Sequence, residues 1–323
     1  MCNCTWPFLC SVPKLGIYVS SAAFFVIGGL LHKTTNASLT SFIGAKFKSL
    51  MIPFYSYGFG LLLYWLIFER YFRPSSGGFP WYQSIYGLIY AGSGNNFWLR
   101  SGGAIWFLPC YFMAIVCYEV IARIAAGRKH VSLFLIIVMS MVGFYYCTWN
   151  NHINLPFGFN QALLGLPWIW LGSQFSKEGY GYLINDMSFF WRILFCALFL
   201  YISFQSDLRI DLFSCSIGTS WVKLYAYSMG GIILAILLGV LLQGKKLVQM
   251  IGSNTLSIMC LHQVIGRILF KLFSLATGLK VDAIGSSGYS VILCMGIVGG
   301  CLLLKSTYSS VMKVTKLSLQ LKI

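Results

Sequence analysis

Acidic residues are the scarcest feature of this chain. It has 7 Asp and Glu in 323 residues against 23 Lys and Arg, so only 9% of positions carry charge. An ordinary soluble domain carries about 25% charged residues. A chain this poor in charge cannot cover a globular surface with it, which excludes a soluble enzyme, a disordered protein and a soluble nucleic-acid binder. Long hydrophilic stretches are missing too, so nothing outside the apolar spans can fold separately, and residues 1–323 read as a single domain. Zinc-type cysteine spacing is absent at Cys2, Cys4 and Cys10, and no metal site is expected. There is no P-loop, no GxSxG elbow and no HExxH pair.

What the chain has instead is apolar bulk, 58% hydrophobic and 17% aromatic. Runs of roughly 20 apolar residues, each enough to cross a hydrocarbon core about 30 Å thick, recur along it. Backbone satisfaction in lipid requires these to be helices. The expected class is an all-α polytopic membrane protein with about nine spans, at 15–32, 50–68, 104–122, 131–148, 157–175, 188–205, 222–243, 252–273 and 286–305. Segment 81–91 is aromatic but too short to span, and is expected to lie in the interface or re-enter. Cysteines inside the runs, among them Cys110, Cys147, Cys260 and Cys301, read as small hydrophobes.

The net charge of +16 is distributed unevenly between the loops. One side collects Lys33, Lys46, Lys48, Arg123, Arg128, Lys129, Lys177, Lys245, Lys246, Lys305, Lys313, Lys316 and Lys322, and the opposite side Lys14, Arg70, Arg73, Arg100, Arg209, Lys223 and Lys280. That bias puts the first side in the cytoplasm, with the C-terminus inside and the N-terminus of this chain outside. The same cations can attract anionic lipid headgroups, whereas no nucleic-acid partner is expected.

Five stretches, in order, carry a resemblance: FFVIGGLL at 24–31, AKFKSLMIPFYSYG at 45–58, AIWFLPCYF at 104–112, ALLGLPWIWLGSQF at 162–175 and IGSNTLSIMCLHQ at 251–263. Together they resemble the acyltransferase-3 family of integral-membrane acyltransferases, particularly its branch similar to fucose 4-O-acetylases. The resemblance implies a bundle of ten helices that moves an acyl group, usually acetyl, from cytoplasmic acyl-CoA to a sugar hydroxyl of an envelope glycan or its lipid-linked precursor. It therefore implies a bacterial inner-membrane enzyme of surface polysaccharide, such as O-antigen, with acyl-CoA as co-substrate and no bound cofactor. Against the family pattern this chain reads as lacking the first helix, which carries the histidine thought to act as base. Two departures accompany this. The family's HxP falls on Ser20, Ser21 and Ala22, and its arginine pair falls on Lys46 and Ser49. Lysine meets a phosphate as a point charge without the bidentate fork of arginine.

Acylating a hydroxyl needs a base for its proton and a grip on the anionic CoA. The four histidines are the only side chains that titrate near neutrality unaided. His32, beside Lys33 at the end of the first span, is a substitute base or a snorkelling interfacial residue. His262 lies about 10 residues into an apolar run and matches the histidine of the family motif. It reads as catalytic, or as a neutral ring bonded to a backbone carbonyl. His130 and His152 read as loop residues. Lys46 and Lys48 read as CoA-phosphate contacts or as topological anchors. Trp106, Pro109, Glu119 and Arg267 are expected to line the cavity, Pro109 by kinking its helix and Glu119 also as an i,i+4 partner of Arg123. Small-residue pairs at Gly231/Ala235 and Gly296/Gly300 suit close helix packing. Two rival readings use the same spans: a truncated or degenerate family member without catalysis, and a polysaccharide transporter or polymerase-type membrane protein.

Overall fold

The computed structural model describes residues 15–32, 37–72, 79–92, 102–149, 154–178, 220–278 and 289–320, with Leu99 and scattered positions between 188 and 215. Among these the architecture is helical, with no strand. The helices are α1 (Leu15–Leu30), α2 (Leu39–Glu69), α3 (Trp81–Tyr90), α4 (Phe107–Ile124), α5 (Lys129–Trp149), α6 (Phe159–Lys177), α7 (Trp221–Leu241), α8 (Lys246–Ser253), α9 (Thr255–Thr277) and α10 (Tyr289–Gln320). Five described stretches are long and apolar enough to cross a membrane: α2, α4, α5, Leu224–Leu241 within α7, and α9. The chain is an all-α polytopic membrane protein. Each expected span that falls in the described residues is helical; 188–205 lies largely outside them, as do His152 and Cys2, Cys4 and Cys10. Segment 81–91 forms α3, ten residues long and well short of the bilayer.

Packing divides the chain into two compact units, one of Pro13–Gln243 and the other chiefly of Gly244–Ile323. In the first, α6 is the central helix, packed on α1, α4 and α5. Glycine makes the α1–α6 crossing possible. A Cβ at Gly29 would overlap the Ile169 carbonyl, and one at Gly172 would overlap the Val26 carbonyl, so the two backbones touch. Close approach through small residues is the usual way membrane helices gain packing where lipid is as apolar as leucine. Helix α7 is tied to this core by Tyr225, whose hydroxyl donates to the Leu164 carbonyl at 2.8 Å, and by Trp221, whose indole donates to Ser140 at 3.3 Å.

Three boundaries differ from the sequence reading, one of them the end of α10, which runs to Gln320 rather than stopping at 305. Helix α2 begins 11 residues before the expected limit of 50, because Ser38 caps it by accepting the Ser41 N–H at 3.3 Å. It also carries two π turns, Phe47–Met51 and Trp65–Glu69. Helix α4 begins at Phe107, so Pro109 occupies its first turn, where the missing N–H has no intrahelical partner to lose. The Ile105 carbonyl that Pro109 would leave free accepts the Leu108 N–H at 3.1 Å. Pro109 thus starts the helix rather than kinking it.

In the second unit α9 packs on α10. Gly300 faces Ile265 and Gly296 faces Leu269, the close packing expected of that pair. Asn254 marks the break between α8 and α9. Its amide donates to the Met250 carbonyl at 2.6 Å and its oxygen accepts from Lys305 on α10.

Candidate functional site

The first turn beyond α1 and the last turns of α4 and α6 meet at one end of the first unit, and their polar side chains form a layered cluster. His32 follows the end of α1, its N–H bonded to the Gly29 carbonyl at 3.1 Å. Its Nε2 stands 3.0 Å from Glu119 Oε2, and both side chains are almost wholly sealed, at 1% and 3% exposure. Glu119 is held from its other oxygen by Arg123 one turn on, Nε to Oε1 at 2.7 Å. Arg123 in turn donates to the Ala37 carbonyl at 2.8 Å, tying the approach to α2 into the cluster.

Aromatic rings complete the enclosure. Tyr118 and Phe42 both meet the imidazole edge-on, with centroids 5.1 Å and 5.9 Å away. Tyr118 is itself fixed through its hydroxyl to Ser173 on α6. On the far side of Phe42 the Lys46 ammonium lies 5.6 Å from the ring centroid, within cation–π range. Lys46 and Lys177 are both near enough to act electrostatically on the imidazole. Lys48 is exposed on the π turn that follows. Single-turn π segments often occur where a helix must place side chains for function.

Nε2 and Oε2 lie within ion-pair distance without the alignment of a hydrogen bond, so the carboxylate acts on the ring through its field, which favours the tautomer with the proton on Nε2. The lone pair then lies on Nδ1, where it can accept a proton. The cluster thus places an imidazole beside a carboxylate, with Lys46, Arg123 and Lys177 around them.

The other expected residues lie elsewhere. Trp106 and Pro109 sit at the opposite end of α4, about 20 Å and about 15 Å from Glu119 at 1.5 Å per residue. Trp106 is buried against Phe213, centroids 5.6 Å apart. In the second unit, His262 is half-buried on α9, and its Nδ1–H donates to the carbonyls of Ile258 and Met259, both at 2.9 Å. That bond goes to its own helix rather than to a neighbour, and it leaves the lone pair on Nε2. Arg267 is on the same helix, partly buried. His130 is exposed in the first turn of α5.

The sequence offers Glu119 as a cavity-lining residue and partner of Arg123, and His32 as a separate candidate. Their union was not legible because 87 positions separate His32 from Glu119. It also undervalued Tyr118 and Ser173, for which no sequence signal stood out. Cys147 packs as a small hydrophobe against Leu164 and Leu224, as expected, and its sulfur also meets a buried polar group made by Cys215, Asn154, Asn160 and Gln161.

The acyltransferase-3 family model, described as an acyltransferase domain, matches residues 18–305. The chain belongs to the acyltransferase-3 family. It is accordingly a membrane acyltransferase, and the match embraces His32, Lys46, Lys48, Trp106, Pro109, Glu119, His262 and Arg267 alike. No curated protein and no solved structure matches the chain.

Proposed function

We propose that this acyltransferase-3 protein transfers an acetyl group from acetyl-CoA to a sugar hydroxyl of a cell-surface polysaccharide or its lipid-linked precursor. The acceptor class follows the likeness to the fucose 4-O-acetylase-like branch. The donor side follows from charge: the end of the bundle bearing Lys46, Arg123, Lys129 and Lys177 is the cytoplasmic one by the loop bias, and CoA is an anionic cytoplasmic substrate.

The observation that carries the reading is the 3.0 Å approach of His32 Nε2 to Glu119 Oε2 inside that cation-lined end. His32 takes the proton of the sugar hydroxyl on Nδ1 while Glu119 stabilises the resulting imidazolium. The alkoxide oxygen then bonds to the thioester carbonyl carbon, the carbon–sulfur bond breaks, and the proton passes to the departing CoA thiolate. Lys46 and Lys48 hold CoA phosphates by charge-assisted contacts. Because His32 is sealed under Phe42 and Tyr118, substrate entry requires the α2 segment carrying Phe42 to move aside. His262, with its Nε2 lone pair, is the second candidate base.

The test is transfer of radiolabelled acetyl from acetyl-CoA into the glycan fraction of membranes containing the full-length protein. His32→Ala is expected to lower incorporation by about 10²–10⁴-fold, the usual worth of a general base. Wild-type incorporation in a folded His32→Ala protein refutes the assignment of the base. Absence of acetyl-CoA-dependent label with the wild type favours the non-catalytic reading.

A further inference from the structure

The end of the first unit opposite His32 holds a second buried polar cluster that acyl transfer does not use. On α5, Cys147 lies 18 residues beyond Lys129, about 27 Å along the helix axis. Its sulfur is 2.8 Å from that of Cys215, and both cysteines are buried, at 1% and 3% exposure. Non-bonded carbon atoms already rest at about 3.5–4.0 Å, and sulfur is larger, so these two thiols are held closer than ordinary packing would bring them.

The surroundings hold the pair in place. The Asn160 amide donates to Cys215 at 2.9 Å and to Cys147 at 3.4 Å, and the Gln161 amide donates to Cys215 at 3.1 Å. Asn154 accepts from Cys215 at 3.3 Å and from Asn160 at 3.1 Å. Cys215 itself has φ +56°, a left-handed conformation that a non-glycine residue adopts at a cost. The backbone accepts that strain while the sulfur stays on its partner.

We propose that Cys147 and Cys215 are joined by a disulfide in the mature protein, pinning Cys215 to the end of α5. The loop bias that puts Lys129 in the cytoplasm puts this pair at the non-cytoplasmic face, where disulfides persist. The oxidant is a protein disulfide of that compartment. One cysteine thiolate attacks it to give a mixed disulfide and release a thiol. The second thiolate then displaces the remaining sulfur, leaving Cys147–Cys215 bonded and the oxidant reduced to a dithiol, which keeps the two protons. The exchange takes place while the chain folds, before burial closes the pair to reagents.

The experiment uses the full-length protein. Membranes are blocked with N-ethylmaleimide under denaturing conditions without reductant, and digested peptides are read by mass spectrometry. The expected result is a peptide linking Cys147 to Cys215 that disappears on reduction, with two fewer alkylated cysteines than in a pre-reduced sample. Purified, reduced protein treated with diamide is expected to form the same link, whereas Cys215→Ser leaves Cys147 alkylated. Alkylation of both cysteines in unreduced membranes overturns the proposal, even if diamide links them. So does a link from Cys147 to Cys110, or failure of diamide to join the pair. None of these outcomes bears on acetyl transfer, which the labelling assay measures separately.

Discussion

Glu119→Gln probes the base assignment with the least change in shape. The carboxylate accepts from Arg123 Nε at 2.7 Å and faces His32 Nε2 at 3.0 Å. A glutamine amide retains the first contact through its oxygen but presents an NH₂ group to the imidazole. Nε2 must then accept, the ring proton moves to Nδ1, and the lone pair needed for proton abstraction is lost. The corresponding change in a Ser-His-Asp triad lowers kcat by about 10⁴ through the wrong tautomer, equivalent to about 5.4 kcal/mol of barrier.

The structural cost is much smaller. Removing one partner of a fully buried ion pair costs about 3–5 kcal/mol. Arg123 is 35% exposed and keeps its bond to the Ala37 carbonyl, so solvent screening reduces this to about 1–2 kcal/mol. The expected outcome is a kcat about 10³–10⁴-fold lower, a KM for acetyl-CoA within about twofold of wild type, and a protein that remains monodisperse in detergent. A folded Glu119→Gln enzyme retaining a third or more of wild-type kcat refutes the tautomer argument. A large rise in KM with kcat intact would assign the pair to binding instead.

Other sites make separate predictions. With His32 as the base, His262→Ala is expected to keep acetyl incorporation within a few-fold of wild type in a protein that stays folded in the membrane; loss of glycan labelling in that variant, with His32→Ala still active, would make His262 the base. The double variant Lys46→Ala/Lys48→Ala is expected to raise the KM for acetyl-CoA by about tenfold or more, the loss of one or two charge-assisted bonds. The effect should shrink as salt is added, and a KM independent of both lysines would leave them as topological anchors. Gly172→Val is expected to destabilise the protein by about 3 kcal/mol, at the upper end of overpacking, because its Cβ overlaps the Val26 carbonyl. Gly44→Ala, at a helical position with open space around it, is expected to be neutral or stabilising by up to about 1 kcal/mol. Melting temperatures of the two variants in detergent check the contrast.

The sequence by itself determined class and family, since both depend on local order. Hydrocarbon thickness fixes how long an apolar run must be, so the limits of α5 and α6 could be read within a few residues of where they fall. Motifs such as AIWFLPCYF and IGSNTLSIMCLHQ keep their register along the chain, and the family match covers both. Less visible were the features set by capping and turn geometry. The Ser38 cap lay hidden in a stretch that its lysines and Gly44 made look like a loop. Pro109 gave no sign of whether it began a helix or bent one.

Only the tertiary structure decided which polar groups meet. His32, Glu119 and Ser173 belong to three segments far apart in the chain, and they converge because Gly29 and Gly172 let α1 and α6 touch backbone to backbone. Cys147 and Cys215 likewise meet across 68 residues. Hydrophobic length acts within a segment and is written in composition, whereas the pairing of a base with its carboxylate depends on which helix faces can approach. Close packing of small residues settles that, and periodicity along one helix does not encode its partner.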